Sequence, residues 1–141
     1  MTVYADTSFL VSTYVKDAHS ACADDLLKSH PRFWFTPLHQ AEWAHAIARH
    51  VFRDLLNSTE AAEMHGQLQH DKTAGLWIEA PMPENAFDVC AELARRHGPK
   101  FGMRTLETLH VACAMELNAE RFWTFDERQA KLAKAAGLRI V

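Results

Sequence analysis

Short apolar runs alternate along this chain with longer stretches whose apolar positions recur every three or four residues. That alternation of strand-like and helix-like periods predicts a mostly parallel sheet covered by helices, an α/β domain. Residues 3–5 make the first predicted strand. A helix carrying Phe9, Leu10 and Tyr14 follows, then a second helix over 19–28 with Ala23, Leu26 and Leu27 on its apolar side. Residues 32–35 make the second strand. Thr36 suits an N-cap and Pro37 a first helical position, so a long helix starts there and runs to about residue 56. Asn57-Ser58-Thr59-Glu60 breaks it and opens a helix over 59–70, and Gly75 leads into a short strand over 76–78. Pro81 and Pro83 end that strand. The next helix spans 84–96 and stops at His97-Gly98-Pro99, and a helix over 105–117 precedes a strand over 122–125. A helix over 127–136 ends at Gly137, and residues 138–141 supply the fifth strand.

The length of 141 residues fits one domain, 1–141, able to bury about two-thirds of the surface its unfolded form exposes. No repeat, low-complexity tract or linker divides it. With 18 acidic against 15 basic residues the net charge is -3, so no global positive field draws the chain to nucleic acid, and any such contact must use a local basic patch. Three cysteines, Cys22, Cys90 and Cys113, are widely spaced, and their odd number argues against a disulfide framework. Reduced thiols, the absence of ~18 consecutive apolar residues and the lack of a leader-like start lead to the expectation of a cytoplasmic protein without a membrane span.

The candidate chemistry is acidic. Asp6 and Asp126 each end an apolar, strand-like run and precede a helix. In a parallel sheet the carboxyl ends of the strands share one edge, where ligand chemistry collects at a topological switch point, so the two aspartates can meet. Acids gathered there without a cation repel one another, which suggests a hard metal ion. Taken singly, each aspartate is explained as well by N-capping. Glu42 shares a stripe with His45 and Arg49 at i, i+3 and i+7, which also fits a solvated helix face, and Glu107 lies in a first turn where the macrodipole alone favours a negative charge. The four acids together shift the balance toward a magnesium- or manganese-dependent hydrolase. Arg95, Arg96, Lys100 and Arg104 precede the Glu107 helix and, with Arg49, are candidates for holding phosphates, against the alternative of ordinary solvated charge. Lys131 and Lys134 read as a solvent-facing stripe. The nine histidines lack the i, i+4 pairing of a helical zinc site. The four tryptophans read as core or interface residues.

The series Asp6-Thr7-Ser8-Phe9-Leu10, Thr36-Pro37 leading to Glu42, Thr105-Leu106-Glu107-Thr108-Leu109-His110-Val111-Ala112 and Thr124-Phe125-Asp126-Glu127-Arg128 resembles the PIN-domain ribonucleases, and most of all their small VapC-like toxin members. The resemblance covers nearly the whole chain. It implies a three-layer α/β/α domain around a mostly parallel five-stranded sheet. It also implies an acidic, metal-binding, catalytic pocket of Asp6, Glu42, Glu107 and Asp126, with Ser8 and Thr124 as supporting groups and His110 structural. The activity implied is Mg2+- or Mn2+-dependent endoribonuclease cleavage by metal-activated water, without a covalent nucleophile. The family usually has aspartate where this chain has Glu107, and the extra methylene is expected to weaken magnesium binding or to favour manganese. A homodimer and a cognate antitoxin are the implied partners besides RNA. Surplus apolar surface on the helix from Thr36, which carries Ala41, Ala44, Ile47, Ala48, Val51 and Phe52, agrees with a partner surface. The competing class is a PIN-like binding or scaffold protein that has lost metal affinity through Glu107. A haloacid-dehalogenase-type phosphatase fits poorly, because no second aspartate stands two residues after Asp6.

Overall fold

The computed structural model describes residues 1–140. Four parallel strands, β1 (Thr2–Ala5), β2 (Arg32–Phe35), β3 (Trp77–Glu79) and β4 (Arg121–Trp123), form one sheet in the order β3-β2-β1-β4. Side chains alternate across each strand, so each strand feeds two cores. Val3, Ala5, Phe33, Phe35, Trp77 and Trp123 join one core with residues of α1 (Thr7–Tyr14), α2 (Ser20–Leu27), α3 (Pro37–Phe52) and α4 (Ser58–Thr73). Tyr4 and Phe122 face the other, built by α5 (Ala86–Phe101), α6 (Thr105–Glu116) and α7 (Glu127–Ala135). Helices on both faces of a parallel sheet give the expected three-layer α/β/α architecture.

Among the described residues the sheet has four strands where five were expected. The closing segment contributes a single parallel bridge, Ile140 to Phe122, and the last residue of the expected strand, Val141, lies outside the described residues. Several boundaries also differ, three of them for an evident local reason. The helix after Ala86 continues through Gly98 and Pro99 to Phe101, because Pro99 is exposed and water can satisfy the Arg95 carbonyl whose hydrogen-bond donor the ring removes. Gly102, at φ 63°, then terminates it, and its N–H bonds the Gly98 carbonyl at 2.8 Å. Helix α3 ends at Phe52 rather than near Leu56 because Asp54 turns left-handed at φ 56°. Strand β4 stops at Trp123, where the Thr124 hydroxyl accepts the Asp126 N–H at 3.0 Å and turns the chain before Phe125. No helix among the described residues is long and apolar enough to cross a membrane.

Candidate active site

The strand order places the site. The chain moves from β1 to β2 and β3 on one side and returns to β4 on the other, so the switch point falls between β1 and β4. Asp6 follows β1 and Asp126 follows β4, and the Asp6 N–H bonds the Trp123 carbonyl at 3.1 Å. Both aspartates are N-caps. Asp6 Oδ1 accepts from the Phe9 N–H at 2.9 Å, and Asp126 Oδ1 accepts from the N–H groups of Arg128 and Gln129 at 2.9 and 3.0 Å. Capping and pocket-lining therefore coexist in the same residues.

Asp6, Glu42, Glu107 and Asp126 line one pocket of about 160 Å³ with Thr7, Ser8, His110 and Gln129. Glu42 reaches it from α3. Its Oε1 accepts from the Thr7 hydroxyl at 2.7 Å and from His110 Nε2, whose other nitrogen bonds the Tyr4 hydroxyl at 2.7 Å. Tyr4, Thr7 and His110 are all buried. Glu107 Oε2 accepts the Arg104 N–H at 3.1 Å, folding the side chain over the start of its own helix. In Glu42, Glu107 and Asp126, one carboxylate oxygen is held by the protein and the other has no protein partner among the described residues. Asp6 is the most enclosed acid. Thr124 Oγ1 lies 2.8 Å from Asp6 Oδ2 and 2.7 Å from Gln129 Oε1, so one hydroxyl proton serves two acceptors, while Gln129 Nε2 donates to the Glu107 carbonyl at 3.1 Å.

The electrostatics follow from this packing. Burial pushes the Asp6 carboxyl above its ordinary pKa, with the charge of Glu42 adding to the effect against the bonds from Phe9 and Thr124. Burial acts on Glu42 as well, but hydrogen bonds from His110 and Thr7 outweigh it and hold that carboxyl below its ordinary value. No three acid, histidine or cysteine side chains among the described residues gather as a preformed metal cluster. The donor set nonetheless fits a hard divalent cation in kind. Four carboxylates, three of them with an unpartnered oxygen, line one small pocket, and a cation there would offset the cost of the buried Asp6 charge.

The other candidates divide by place. Ser8 is exposed and lines the acidic pocket and two clefts that adjoin it. Arg49 lines both adjoining clefts, and Arg104 lines the one bounded by Leu38, His45 and Leu106. Arg95 and Arg96 pair with Glu92 at 2.9 and 3.3 Å on exposed surface and line none of these clefts. Lys100 lines a separate cleft with Phe101, Arg128, Lys131, Lys134 and Ala135, so the exposed, solvent-facing lysines of α7 also border a basic hollow. Sequence reading missed Tyr4, Thr7 and Gln129 as site-building residues. It left His110 as merely structural, although its place one helical turn after Glu107 already put it on the same side of the helix.

The chain matches the family model described as PIN domain over residues 3–135. It belongs to the PIN domain family. Solved structures with similar folds include VapBC2 from Rickettsia felis bound to a DNA fragment from its promoter, at 15% identity and TM-score 0.67, covering 100% of this chain and 98% of that one. FitAcB from Neisseria gonorrhoeae has 16% identity and TM-score 0.67, covering 98% of this chain and 95% of that one. VapC20 from Mycobacterium tuberculosis, described as a Sarcin-Ricin loop cleaving toxin, has 16% identity and TM-score 0.69, covering 96% of this chain and 95% of that one. No curated protein matches the chain.

Proposed function

We propose that this PIN-domain chain is a metal-dependent endoribonuclease, the toxin component of a toxin-antitoxin pair, that hydrolyses RNA phosphodiester bonds. One observation carries the reading: Asp6, Glu42, Glu107 and Asp126, brought from four distant parts of the sequence, line the same pocket at the sheet's switch point. Asp6 and Asp126 are the principal ligands for Mg2+ or Mn2+, with Glu42 and Glu107 completing the set. When bound, the ion supplies an activated water and countercharge for the RNA backbone and the leaving oxygen. The chain's own residues do the positioning. Thr124 restrains Asp6, His110 and Thr7 restrain Glu42, Ser8 offers a hydroxyl at the pocket mouth, and Arg49 and Arg104 hold phosphates beside it. Arg95, Arg96 and Lys100 belong to the proposal as more distant phosphate contacts.

The fold likeness to VapBC2, FitAcB and VapC20 supports the toxin assignment, and a cognate antitoxin, a homodimer and a cytoplasmic setting belong to the same proposal. Exposed Phe52 and Leu55 at the end of α3 agree with a partner surface, whereas Trp43, Ala46 and Ile47 of that helix are buried in the domain itself. Sedimentation showing only monomer at high concentration would remove the homodimer. The second reading, a catalytically weak binding or scaffold protein, is favoured by the hydrogen bond that turns Glu107 back onto its own helix. Incubating the purified protein with structured RNAs in magnesium, manganese or chelator separates the two. Metal-dependent cutting supports the nuclease, and a folded, inhibitor-free protein that cuts under no metal supports the binding module.

A further inference from the structure

Three rings run outward from the core beside the acidic pocket. Phe9, fully buried, stacks on half-buried Phe125 at 5.4 Å between centroids and 19° between planes, and Phe125 stacks on exposed His19 at 4.4 Å and 8°. Phe9 lies in the first turn of helix α1, His19 is the N-cap of helix α2, and Phe125 immediately precedes Asp126. The stack therefore ties the α1–α2 connection to the loop that carries an acid of the site. It also ends in a nearly parallel ring pair at a cleft of about 480 Å³, which His19 and Phe125 line together with Arg49 and His50. That cleft shares Asp6, Ser8, Glu42 and Asp126 with the acidic pocket, so its occupant would sit next to the group being cleaved.

We propose that the His19–Phe125 stack is a platform for one unpaired nucleobase of the RNA, flanking the phosphodiester held at the acidic pocket. The inference rests on the nuclease reading. A flat ring pair with an apolar wall offers a π-face that any base can stack on, and Arg49 in the same cleft can meet the adjoining phosphate. Base stacking on a protein ring requires a nucleotide free of its helix, so the substrate class is single-stranded or loop RNA. The His19 ring has no side-chain hydrogen bond among the described residues, which leaves its plane rather than a polar atom as what it presents.

The test is binding of five-nucleotide RNAs, either intact or with an abasic central nucleotide, followed by fluorescence anisotropy with calcium as countercharge, for the wild type, His19→Ala and His19→Phe. Loss of one stacked base corresponds to a factor of roughly ten to a hundred in affinity. The wild type is expected to prefer the intact RNA by about that factor, His19→Ala to lose the preference and His19→Phe to keep it. A merely structural His19 would alter thermal stability but leave the intact-to-abasic ratio unchanged, and that result overturns the platform. Equal binding of both RNAs by the wild type, or no binding of either, overturns it too. Metal-dependent cleavage by the same preparations reports separately on the nuclease reading: intact cleavage with an unchanged ratio removes the platform alone, whereas absent cleavage with a base-dependent ratio removes the nuclease and leaves a base-binding site.

Discussion

His110 joins a phenol to a carboxylate: its Nδ1 lies 2.7 Å from the Tyr4 hydroxyl, and its Nε2 donates to Glu42, the acid that α3 sends into the pocket. Strand β1, helix α3 and helix α6 are thereby tied at one imidazole. Removing it leaves a buried hydroxyl without this partner and a carboxylate without its restraint, so His110→Ala is expected to lose about 2–4 kcal/mol of stability. Tyr4→Phe should cost about 1 kcal/mol. Urea unfolding measures both. If His110→Ala unfolds at the wild-type midpoint, the bridge does not hold the site together.

His39 sets a pH dependence of stability. Its ring is fully buried, Nδ1 accepts the Thr36 N–H at 3.0 Å and Nε2 donates to the Ala5 carbonyl at 2.7 Å, and burial followed by the nearby His110 pushes its pKa down to about 3. The unfolded chain takes up a proton at about 6.5 while the folded chain refuses one until about 3, so the contribution is complete above the unfolded value and is lost as pH falls through that window. The slope for one such group approaches ~1.4 kcal/mol per pH unit. His39→Gln keeps the capping arrangement that Gln ordinarily makes at this helix position and removes the titration. Denaturant midpoints measured from pH 7 to pH 5 should fall less steeply in that variant than in the wild type.

The buried Asp6 charge costs stability. Its carboxyl is raised above the ordinary value by burial, so the cost of the charge grows as pH rises past that ordinary value and is present at neutral pH. Asn caps helices as well as Asp does, and Asp6→Asn should therefore match or exceed the wild-type Tm in metal-free buffer at pH 7. Manganese should stabilise the folded wild type by about 2.7 kcal/mol at a hundredfold excess over Kd, raising its Tm, and should leave the Tm of Asp6→Asn unmoved. Glu107→Asp should shift the preference from manganese toward magnesium. An Asp6→Asn protein stabilised by manganese as much as the wild type would contradict the ligand assignment.

The thiols should react in two classes. Cys22 is exposed, whereas Cys90 and Cys113 are buried, and burial pushes the Cys113 thiol up to about 11. A native protein should label promptly at one thiol per chain and at all three in denaturant. Prompt labelling of Cys113 under native conditions would indicate that the α5–α6 core opens readily.

The elements that were legible in the sequence are those fixed by local signals. Thr36-Pro37 starts α3 and Asn57 starts α4, where Asn57 and Glu60 exchange hydrogen bonds at 2.8 and 3.0 Å. Asp6 and Asp126 were readable as a pair because strand ends collect on one edge. Context decided the rest. Pro99 reads as a stop, yet the helix passes it where its neighbours face water. Among the described residues the fifth strand is a single bridge from Ile140 to Phe122. The bonding of Glu42 to Thr7 and His110 spans 35 and 68 residues, and no local pattern carries a contact of that range. The orientation of Gln129 toward Thr124 and Glu107, instead of back to its own cap, is likewise a tertiary outcome.

The most direct test of the acidic pocket as a catalytic centre is cleavage of structured RNAs, tRNA among them, by the wild type and Asp6→Asn prepared identically, in magnesium or manganese. Cutting that requires the metal and falls by orders of magnitude in Asp6→Asn is the predicted result. Equal cutting by both proteins would contradict it.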